Sequence, residues 1–336
     1  MGIMVSRNRV EYSEDSPGVP ETYSPENLRP MRRVRSFYCL LQLLGFLLAG
    51  CTTGPRPVPA HTQVDAGEPA GLLWHLRSGN HEGWLLGSIH LLPASHEQLP
   101  RPIEEALDKA SCVVLEVRPE PDHAMKFLQR GRFEPGGDLR RVLSAKAWEE
   151  LAASLPALGI VPEDVLGLRP WALALSLAAR AMQAEGFSPA YGVEERLTRR
   201  AKSAGKDLLG LESFDEQVGL LQALPPDLQE AFLLATVRNL PNTATDLRAL
   251  LAIWLRGDLD ALEHHLTTQL QRSPELRPVF ATILTLRSRI MAERILALFG
   301  ERGGCLVAVG AAHLPGESGV LALLQEHGAI LQVLRP

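Results

Sequence analysis

The chain has 336 residues, of which 46% are hydrophobic and 22% are charged, so it can bury a globular core and is neither fibrous nor disordered throughout. Its net charge of −5 is small, and it contains no basic run interleaved with aromatic residues. Nucleic acid is therefore excluded as an expected partner.

The N-terminal part is typical of an export signal. Residues 31–51 combine a basic start, an apolar stretch at Phe37–Leu48 and a small-residue end. The apolar stretch is too short to span a bilayer. Residues 48–51 (Leu-Ala-Gly-Cys) resemble a bacterial lipobox, in which Cys51 is lipidated and begins the mature protein. An uncleaved signal anchor and an ordinary signal peptide are the alternatives.

We therefore expect a lipoprotein signal peptide at 31–51 and a lipid on Cys51 that anchors the protein to a bacterial envelope membrane, facing the periplasm or the surface. Residues 1–30 are polar, contain four prolines and would make this signal unusually long, so we interpret them as a non-native extension. Residues 52–70 also contain four prolines and lack apolar periodicity. They are expected to form a flexible tether.

A folded domain is predicted over residues 71–336, where apolar runs alternate with turn signals. Leu72–Arg77 and Gly83–Ile89 are predicted strands joined by a hairpin turn at 78–81. A helix is predicted over Pro102–Lys109. Cys112–Val117 is a continuous apolar run, which is typical of a strand covered on both faces.

Helical patterns dominate the rest of the domain. Residues 122–205 and 213–299 are expected to form a large helical insertion or subdomain, interrupted by prolines and glycines. The remaining predicted elements are strand Asp207–Leu211, strand Leu306–Val309, helix Gly319–Glu326 and strand Ala329–Leu334. Strands that alternate with helices predict an α/β fold, with a central mostly parallel or mixed sheet flanked by helices.

Four polar residues come at the ends of predicted strands. His90 and His313 each close a Gly-x-x-His sequence after an apolar strand, and Glu116 and Glu212 each end an apolar run. Ligands of open α/β sheets bind beyond the carboxyl ends of the strands, so we expect these side chains to meet there. Two imidazoles and two carboxylates are predicted ligands of a divalent metal. Each residue alone is more often structural; their matched contexts favour a site.

Arg287 is a further candidate. It falls on the apolar stripe of a predicted helix around Val279–Phe299, together with Ile283 and Ile290. A charge that faces the core needs a carboxylate or a substrate anion. The alternative is that only the stem packs while the guanidinium reaches water.

The four cysteines follow neither a zinc-finger nor a redox spacing. Cys112 and Cys305 each open a predicted strand. They would pair in an oxidising compartment if those strands are neighbours. Two buried free thiols are the alternative.

The order of several motifs resembles that of the TraB/GumN family, which is related to the TIKI proteases. The motifs are Leu86-Gly87-Ser88-Ile89-His90, Leu115-Glu116, Tyr191-Gly192-Val193-Glu194, Gly205-Lys206, Gly210-Leu211-Glu212-Ser213 and Val309-Gly310-Ala311-Ala312-His313-Leu314-Pro315-Gly316. Arg287 resembles the arginine of the family's Arg-Asn pair, although Ser288 follows it here. Glu194 likewise stands where the family usually has aspartate.

The resemblance implies a metal-dependent hydrolase, with a peptidase as the expected type. It implies a manganese or cobalt-like divalent ion, with zinc as the alternative. His90 and His313 match the two Gly-x-x-His histidines, and Glu116 and Glu212 match the associated acidic positions.

The predicted function is therefore metal-assisted hydrolysis of a peptide or small molecule. The ion would activate water, a glutamate that does not bind it would act as general base, and Arg287 would stabilise the oxyanion or orient that glutamate. The chain contains neither a His-Glu-x-x-His nor a Gly-x-Ser-x-Gly motif. A non-catalytic envelope lipoprotein that binds a peptide or surface component, and a small-molecule esterase, are the alternatives.

Overall fold

A computed structural model of the chain describes residues 69–96 and 98–335. The expected extension at 1–30, the signal peptide at 31–51 with Cys51 and nearly all of the tether lie outside the described residues. Ala70 already belongs to the fold, because it is buried and its N–H donates to the carbonyl of Leu255 at 2.9 Å.

The strands and helices follow one another closely along the chain. The strands are β1 (Leu72–Ser78), β2 (His81–Ser88), β3 (Leu92–Pro93), β4 (Cys112–Val117), β5 (Phe187–Ser188), β6 (Asp207–Glu212), β7 (Cys305–Gly310) and β8 (Ile330–Val333). The helices are α1 (Arg101–Lys109), α2 (His123–Arg130), α3 (Leu139–Val142), α4 (Ala145–Ser154), α5 (Pro170–Ala184), α6 (Val193–Ser203), α7 (Phe214–Gln222), α8 (Pro226–Asn239), α9 (Thr243–Arg256), α10 (Leu259–Arg272), α11 (Arg277–Phe280), α12 (Arg287–Glu301) and α13 (Val320–Glu326). A π-helical segment, Ala281–Leu286, joins α11 to α12.

The central sheet has six strands in the order β6-β4-β7-β2-β1-β8. The first four run parallel to one another, and β1 and β8 pair antiparallel at the far edge. Every residue of β4 and β7 is buried, which explains their continuous apolar runs, because helices cover both faces there. The predicted mixed α/β sheet flanked by helices is confirmed.

Each of the six predicted strands is present, with ends that differ by at most two residues from the prediction. The β1–β2 hairpin closes with Ser78 opposite His81, and Gly79 adopts a positive φ of 56° in its two-residue turn. The small sheet of β3 and β5 was not predicted. Its strands are only two residues long, too short for a period to show.

The two helical stretches pack on each other, because α5 of the first lies against α8 and α9 of the second. Several helices cover the sheet: α6 packs on β4 and β6, α12 on β1, β2 and β6, α9 on β1, and α13 on β8. In α9, Trp254 Nε1 donates to the carbonyl of Gly87 at 2.6 Å, which ties the helical part to the end of β2. No helix in the described part of the chain has the length and apolar character needed to cross a membrane.

The amino ends of β4 and β7 are joined covalently. Cys112 and Cys305 are direct partners in the strand register and form a disulfide, with their Cα atoms 4.6 Å apart. Cys112 and Cys305 are therefore paired, and the alternative of two buried free thiols is wrong. The bond lies at the edge of the sheet opposite to the predicted site.

Candidate functional site

The side chains predicted from the sequence come together at the carboxyl ends of the four parallel strands. We call His90, Glu116, Glu212, Arg287 and His313 the strand-end cluster. Each is at most 6% exposed. The two glutamates lie within the strands β4 and β6, His90 comes two residues after the end of β2, and His313 comes three residues after the end of β7.

Arg287 lies between the two glutamates. Its Nη2 donates to Glu116 Oε2 at 2.6 Å and to Glu212 Oε2 at 2.7 Å, and its Nε donates to Glu212 Oε1 at 3.2 Å. Gln217 Nε2 also donates to Glu116 Oε2 at 3.3 Å and to Glu212 Oε2 at 3.0 Å. The guanidinium is thus buried and paired, and the alternative in which it reaches water is wrong.

Glu116 is held in its ionised form. Burial is the largest single influence and would raise its pKa, but the Arg287 guanidinium, the two histidines of the cluster and the Gly310 N–H together hold the pKa well below its usual range. The Gly310 N–H adds a hydrogen bond to Glu116 Oε1 at 2.5 Å. The same carboxylates raise the pKa of Arg287 despite its burial. The cluster therefore contains an ionised Glu116 in buried surroundings.

His313 is neutral and directs one nitrogen into the cluster. Burial is the main reason that its pKa falls to about 3; Glu116 opposes the shift and Arg287 adds to it. Its Nδ1 lies 3.0 Å from Ser288 Oγ, and its Nε2 lies 3.3 Å from Arg287 Nη1. A guanidinium can only donate, so Nε2 accepts and the ring proton is on Nδ1. Nε2 is also 3.9 Å from Glu116 Oε1.

His90 faces Glu116 from the other side. Its Nδ1 lies 2.7 Å from Glu194 Oε1. Burial lowers the pKa of His90, but Glu194 outweighs burial and the pKa is raised overall. A Cβ at Gly310 would lie 3.0 Å from both His90 Nε2 and Glu116 Oε1. Because glycine has no side chain, a space remains between His90 Nε2 and Glu116 Oε1.

A small cavity opens at this space, and a larger groove lies beside it. The cavity is lined by His90, Glu116, Arg287, Gly310 and His313 and has about 20 Å³ for the centres of water molecules, enough for one water or one ion. Glu212 does not line it. The groove measures about 390 Å³, runs between α10 and the π-helical segment, and reaches His313 and Ser288.

In the strand-end cluster, the potential ligand atoms are too far apart to form a complete metal site. Two ligands of one ion are about 3.4 Å apart when each is about 2.1 Å from it, so the 3.9 Å between His313 Nε2 and Glu116 Oε1 is about half an ångström too wide. The other oxygen of Glu116 and both oxygens of Glu212 face Arg287. The donor chemistry suits a divalent ion and the cavity suits its size, but the ligand atoms would have to move closer together, and His313 Nε2 would have to release its hydrogen bond from Arg287, to hold one.

One other group stands closer to ligand geometry. Among the described residues, Glu120, Asp122 and His123 form the only set of three whose potential ligand atoms all lie within 4.8 Å of one another. Cations already neutralise it, since Arg118 pairs with Glu120 at 2.6 Å and Lys126 with Asp122 at 2.9 Å. It lies outside the cavity described above.

The comparison with protein families agrees with the motifs on which this site is built. The sequence model described as the TraB/PrgY/gumN family matches residues 72–332, which include the whole strand-end cluster. The chain belongs to the TraB/PrgY/gumN family. The resemblance predicted from the sequence is thereby confirmed.

Two relatives of this TraB/PrgY/gumN protein match it over most of its length. They carry the description "Uncharacterized protein YbaP", one from Escherichia coli (strain K12) and one from Shigella flexneri. Each is 25% identical over 270 residues, which cover 75% of this chain and 97% of the relative. No solved structure matches the chain.

Several contacts in this TraB/PrgY/gumN protein were not predicted. Gln217 bridges the two glutamates, and its signal was the capping box of Ser213 and Glu216, which starts α7 directly after Glu212 and turns Gln217 back toward it. Ser288, where the family usually has asparagine, still supplies a polar contact to His313. Glu194 meets His90 although 104 residues separate them in the printed sequence.

Proposed function

We propose that this protein is a metal-dependent hydrolase of the bacterial envelope whose expected substrate is a peptide. One observation carries the proposal: His90, Glu116 and His313 line one water-sized cavity, where Gly310 at the end of β7 leaves room between His90 Nε2 and Glu116 Oε1. Imidazole nitrogen and carboxylate oxygen are ligands suited to manganese, cobalt or zinc ions.

His90, His313 and Glu116 would hold the ion. When bound, the ion would act as a Lewis acid and would lower the pKa of a water molecule in the cavity. Glu116 suits a ligand because its lowered pKa keeps it ionised. Glu212 acts differently: both of its oxygens accept from Arg287, so it fixes the guanidinium in place.

Arg287 is the cation available to an oxyanion. It lines the cavity, and its pKa is raised, so its charge persists at every physiological pH. A buried donor that is already oriented stabilises developing negative charge without reorganisation.

The groove beside His313 supports a substrate larger than a single small group. Its volume of about 390 Å³ lies in the range of binding clefts for organic ligands, roughly 300–1,000 Å³. Its lining is mainly apolar, with the charged side chains Glu263 and Arg277 at its border. An extended peptide offers both apolar side chains and polar backbone to such a surface.

Two features support a location in the envelope. The predicted lipobox at 48–51 would attach the protein to a membrane through Cys51. The Cys112–Cys305 disulfide is of the kind that persists in oxidising compartments, such as the periplasm.

The decisive experiment measures bound manganese, cobalt and zinc in the purified protein and in two variants, His90→Ala and His313→Ala. His264→Ala is the matched control, because His264 is exposed on α10. We expect one ion per chain in the wild type and the control, and its loss in both cluster variants while their circular dichroism is unchanged. Hydrolysis of a peptide library, compared with a panel of esters, then separates peptidase from esterase.

A second candidate is a non-catalytic binding protein on the same fold. The observation in its favour is that Arg287 already satisfies Glu116 and Glu212 without an ion. In that case the histidines are structural and the groove binds a peptide or surface component. Absence of bound ion under every loading condition would support this candidate and contradict the hydrolase.

A further inference from the structure

We infer that Glu194 is a positioning residue for His90: its carboxylate holds the ring proton on Nδ1, so that the lone pair of Nε2 faces Glu116 and the cavity. The consequence for ion binding rests on the proposed function. The position of the ring proton is independent of the proposed function, because it is a property of the protein without an ion.

The start of α6 explains how Glu194 reaches His90. Gly192 lies directly against the backbone carbonyl of His90, where any side chain would collide with it. The next residue, Val193, donates its N–H to the carbonyl of Ile89 at 3.0 Å. Glu194 follows in the first turn of the helix and is brought to the His90 ring. The Tyr-Gly-Val-Glu sequence thus docks this helix on the end of β2.

The contact is short and buried, although Nδ1–H and the carboxylate oxygen are not aligned as a regular hydrogen bond. Glu194 Oε1 lies 2.7 Å from His90 Nδ1, and both residues are only 4% exposed. Two unprotonated acceptor atoms would repel each other at this distance, which favours a proton on Nδ1. Ser88 Oγ donates to the same oxygen. A carboxylate accepts from a ring N–H, and a ring that donates from Nδ1 keeps Nε2 as its acceptor in the neutral state.

Stabilisation of the helix alone does not account for a buried glutamate here. Glu195 is in the same first turn, is exposed, and supplies negative charge to the helix end without burial. The second oxygen of Glu194 is buried and has no hydrogen-bond partner among the described residues. A buried carboxylate with an idle oxygen is costly, which favours a role through its other contact, to His90.

The arrangement repeats at the second histidine. His313 Nδ1 is held by Ser288 Oγ at 3.0 Å, and its Nε2 points inward, 3.9 Å from Glu116 Oε1. Both rings thus present Nε2 to Glu116 and place Nδ1 against a polar side chain. Histidines that bind metals commonly donate their other ring N–H in this way, which fixes the tautomer and the ring orientation.

The test records long-range proton–nitrogen NMR correlations of ¹⁵N-histidine-labelled, ion-free full-length protein, in buffer alkaline enough to populate neutral His90. His90→Gln identifies the signals. We expect the proton on Nδ1 in the wild type. In Glu194→Gln the amide can donate as well as accept, so the Nε2–H tautomer should gain population. Glu194→Asp, the family's usual residue, should restore the wild-type pattern, and the exposed control Glu195→Gln should leave it unchanged.

Cobalt titration gives the second readout. Glu194→Gln should weaken cobalt binding by about 10–100-fold, while Glu195→Gln should not. A wild-type ring with its proton on Nε2, or unchanged tautomer and affinity in Glu194→Gln, would overturn the inference. If Glu194→Gln does not fold, the wild-type tautomer alone decides. A proton on Nδ1 in a protein that binds no cobalt would support the inference and contradict the proposed function.

Discussion

The strands β4 and β7 lie side by side in the centre of the sheet, and their two ends are held in opposite ways. At the amino ends, Cys112 and Cys305 are fully buried and form a covalent bond. At the carboxyl ends, the Gly310 N–H donates to Glu116 Oε1 among buried charges. Buried ion pairs are a weak source of stability compared with apolar packing. The comparison indicates that the disulfide end serves the fold and that the charged end serves binding or chemistry.

The largest effect is expected at the charged end. Arg287→Met removes the cation that both glutamates share, and leaves Glu116 and Glu212 buried without their main partner. We expect a loss of about 3–5 kcal/mol in the free energy of unfolding, measured by chemical denaturation. Arg289→Met is the matched control, because Arg289 is exposed in the same helix. A loss below about 1 kcal/mol would contradict the account of the cluster.

Removing the disulfide tests whether the two ends are independent. Replacing Cys112 and Cys305 together by alanine should lower the free energy of unfolding by about 2–4 kcal/mol, because the bond closes a loop across 193 residues. Ion affinity should stay close to that of the wild type, because the bond lies at the far edge of the sheet. Thermal denaturation and ion titration of the same sample measure both quantities. Loss of ion binding at a temperature where the variant is folded would show that the ends are coupled.

A substitution at Gly310 should have the reverse effect to removal of the disulfide: it should weaken ion binding strongly and lower stability only slightly. In Gly310→Ala the new Cβ would lie 3.0 Å from both His90 Nε2 and Glu116 Oε1, in the space assigned to the ion. We expect about tenfold or greater loss of ion affinity with only about 1–3 kcal/mol of destabilisation. Gly300→Ala is the control, because a Cβ there meets nothing within 4 Å. Unchanged affinity in Gly310→Ala would place the ion elsewhere.

The smallest effect on stability is expected outside the sheet, at Asp246. Asp246, in α9, has a buried oxygen without a hydrogen-bond partner among the described residues, and burial raises its pKa to about 6. A raised carboxyl pKa means that this group stabilises the fold at low pH and that the contribution is lost as the pH rises through about 6. Asp246→Asn should therefore gain about 1 kcal/mol over the wild type at pH 8, after allowance for solvent screening, and nothing at pH 4. An equal effect at both pH values in urea denaturation would contradict this.

The positions of the cluster residues followed from the sequence because each depends on a strand end. The apolar runs before Glu116 and Glu212 and the Gly-x-x-His sequences predicted four strand ends in a mostly parallel or mixed sheet, and we expected their side chains to meet. Their side chains meet at these ends for the reason that was predicted. The residue at which a strand ends is local enough to be read from such patterns.

The contacts around the cluster did not follow, because helices from distant parts of the chain supply them. Arg287 was expected to face the core, but its pairing with both glutamates depends on how α12 crosses the sheet. The π-helical segment before α12 also shifts the helical register: Ile283 and Arg287 are buried as expected, whereas Ile290 is half-buried. A stripe counted at 3.6 residues per turn does not reveal such a shift.

Anomalous diffraction of crystals grown with manganese would show whether the strand-end cluster binds an ion. We expect one strong peak in the cavity of the strand-end cluster, with the side chains drawn together so that His90 Nε2, His313 Nε2 and Glu116 Oε1 lie within about 2.0–2.3 Å of it. We also expect the peak to disappear in Gly310→Ala. A peak at Glu120, Asp122 and His123 instead, or no peak at saturating manganese, would contradict the proposed ion site.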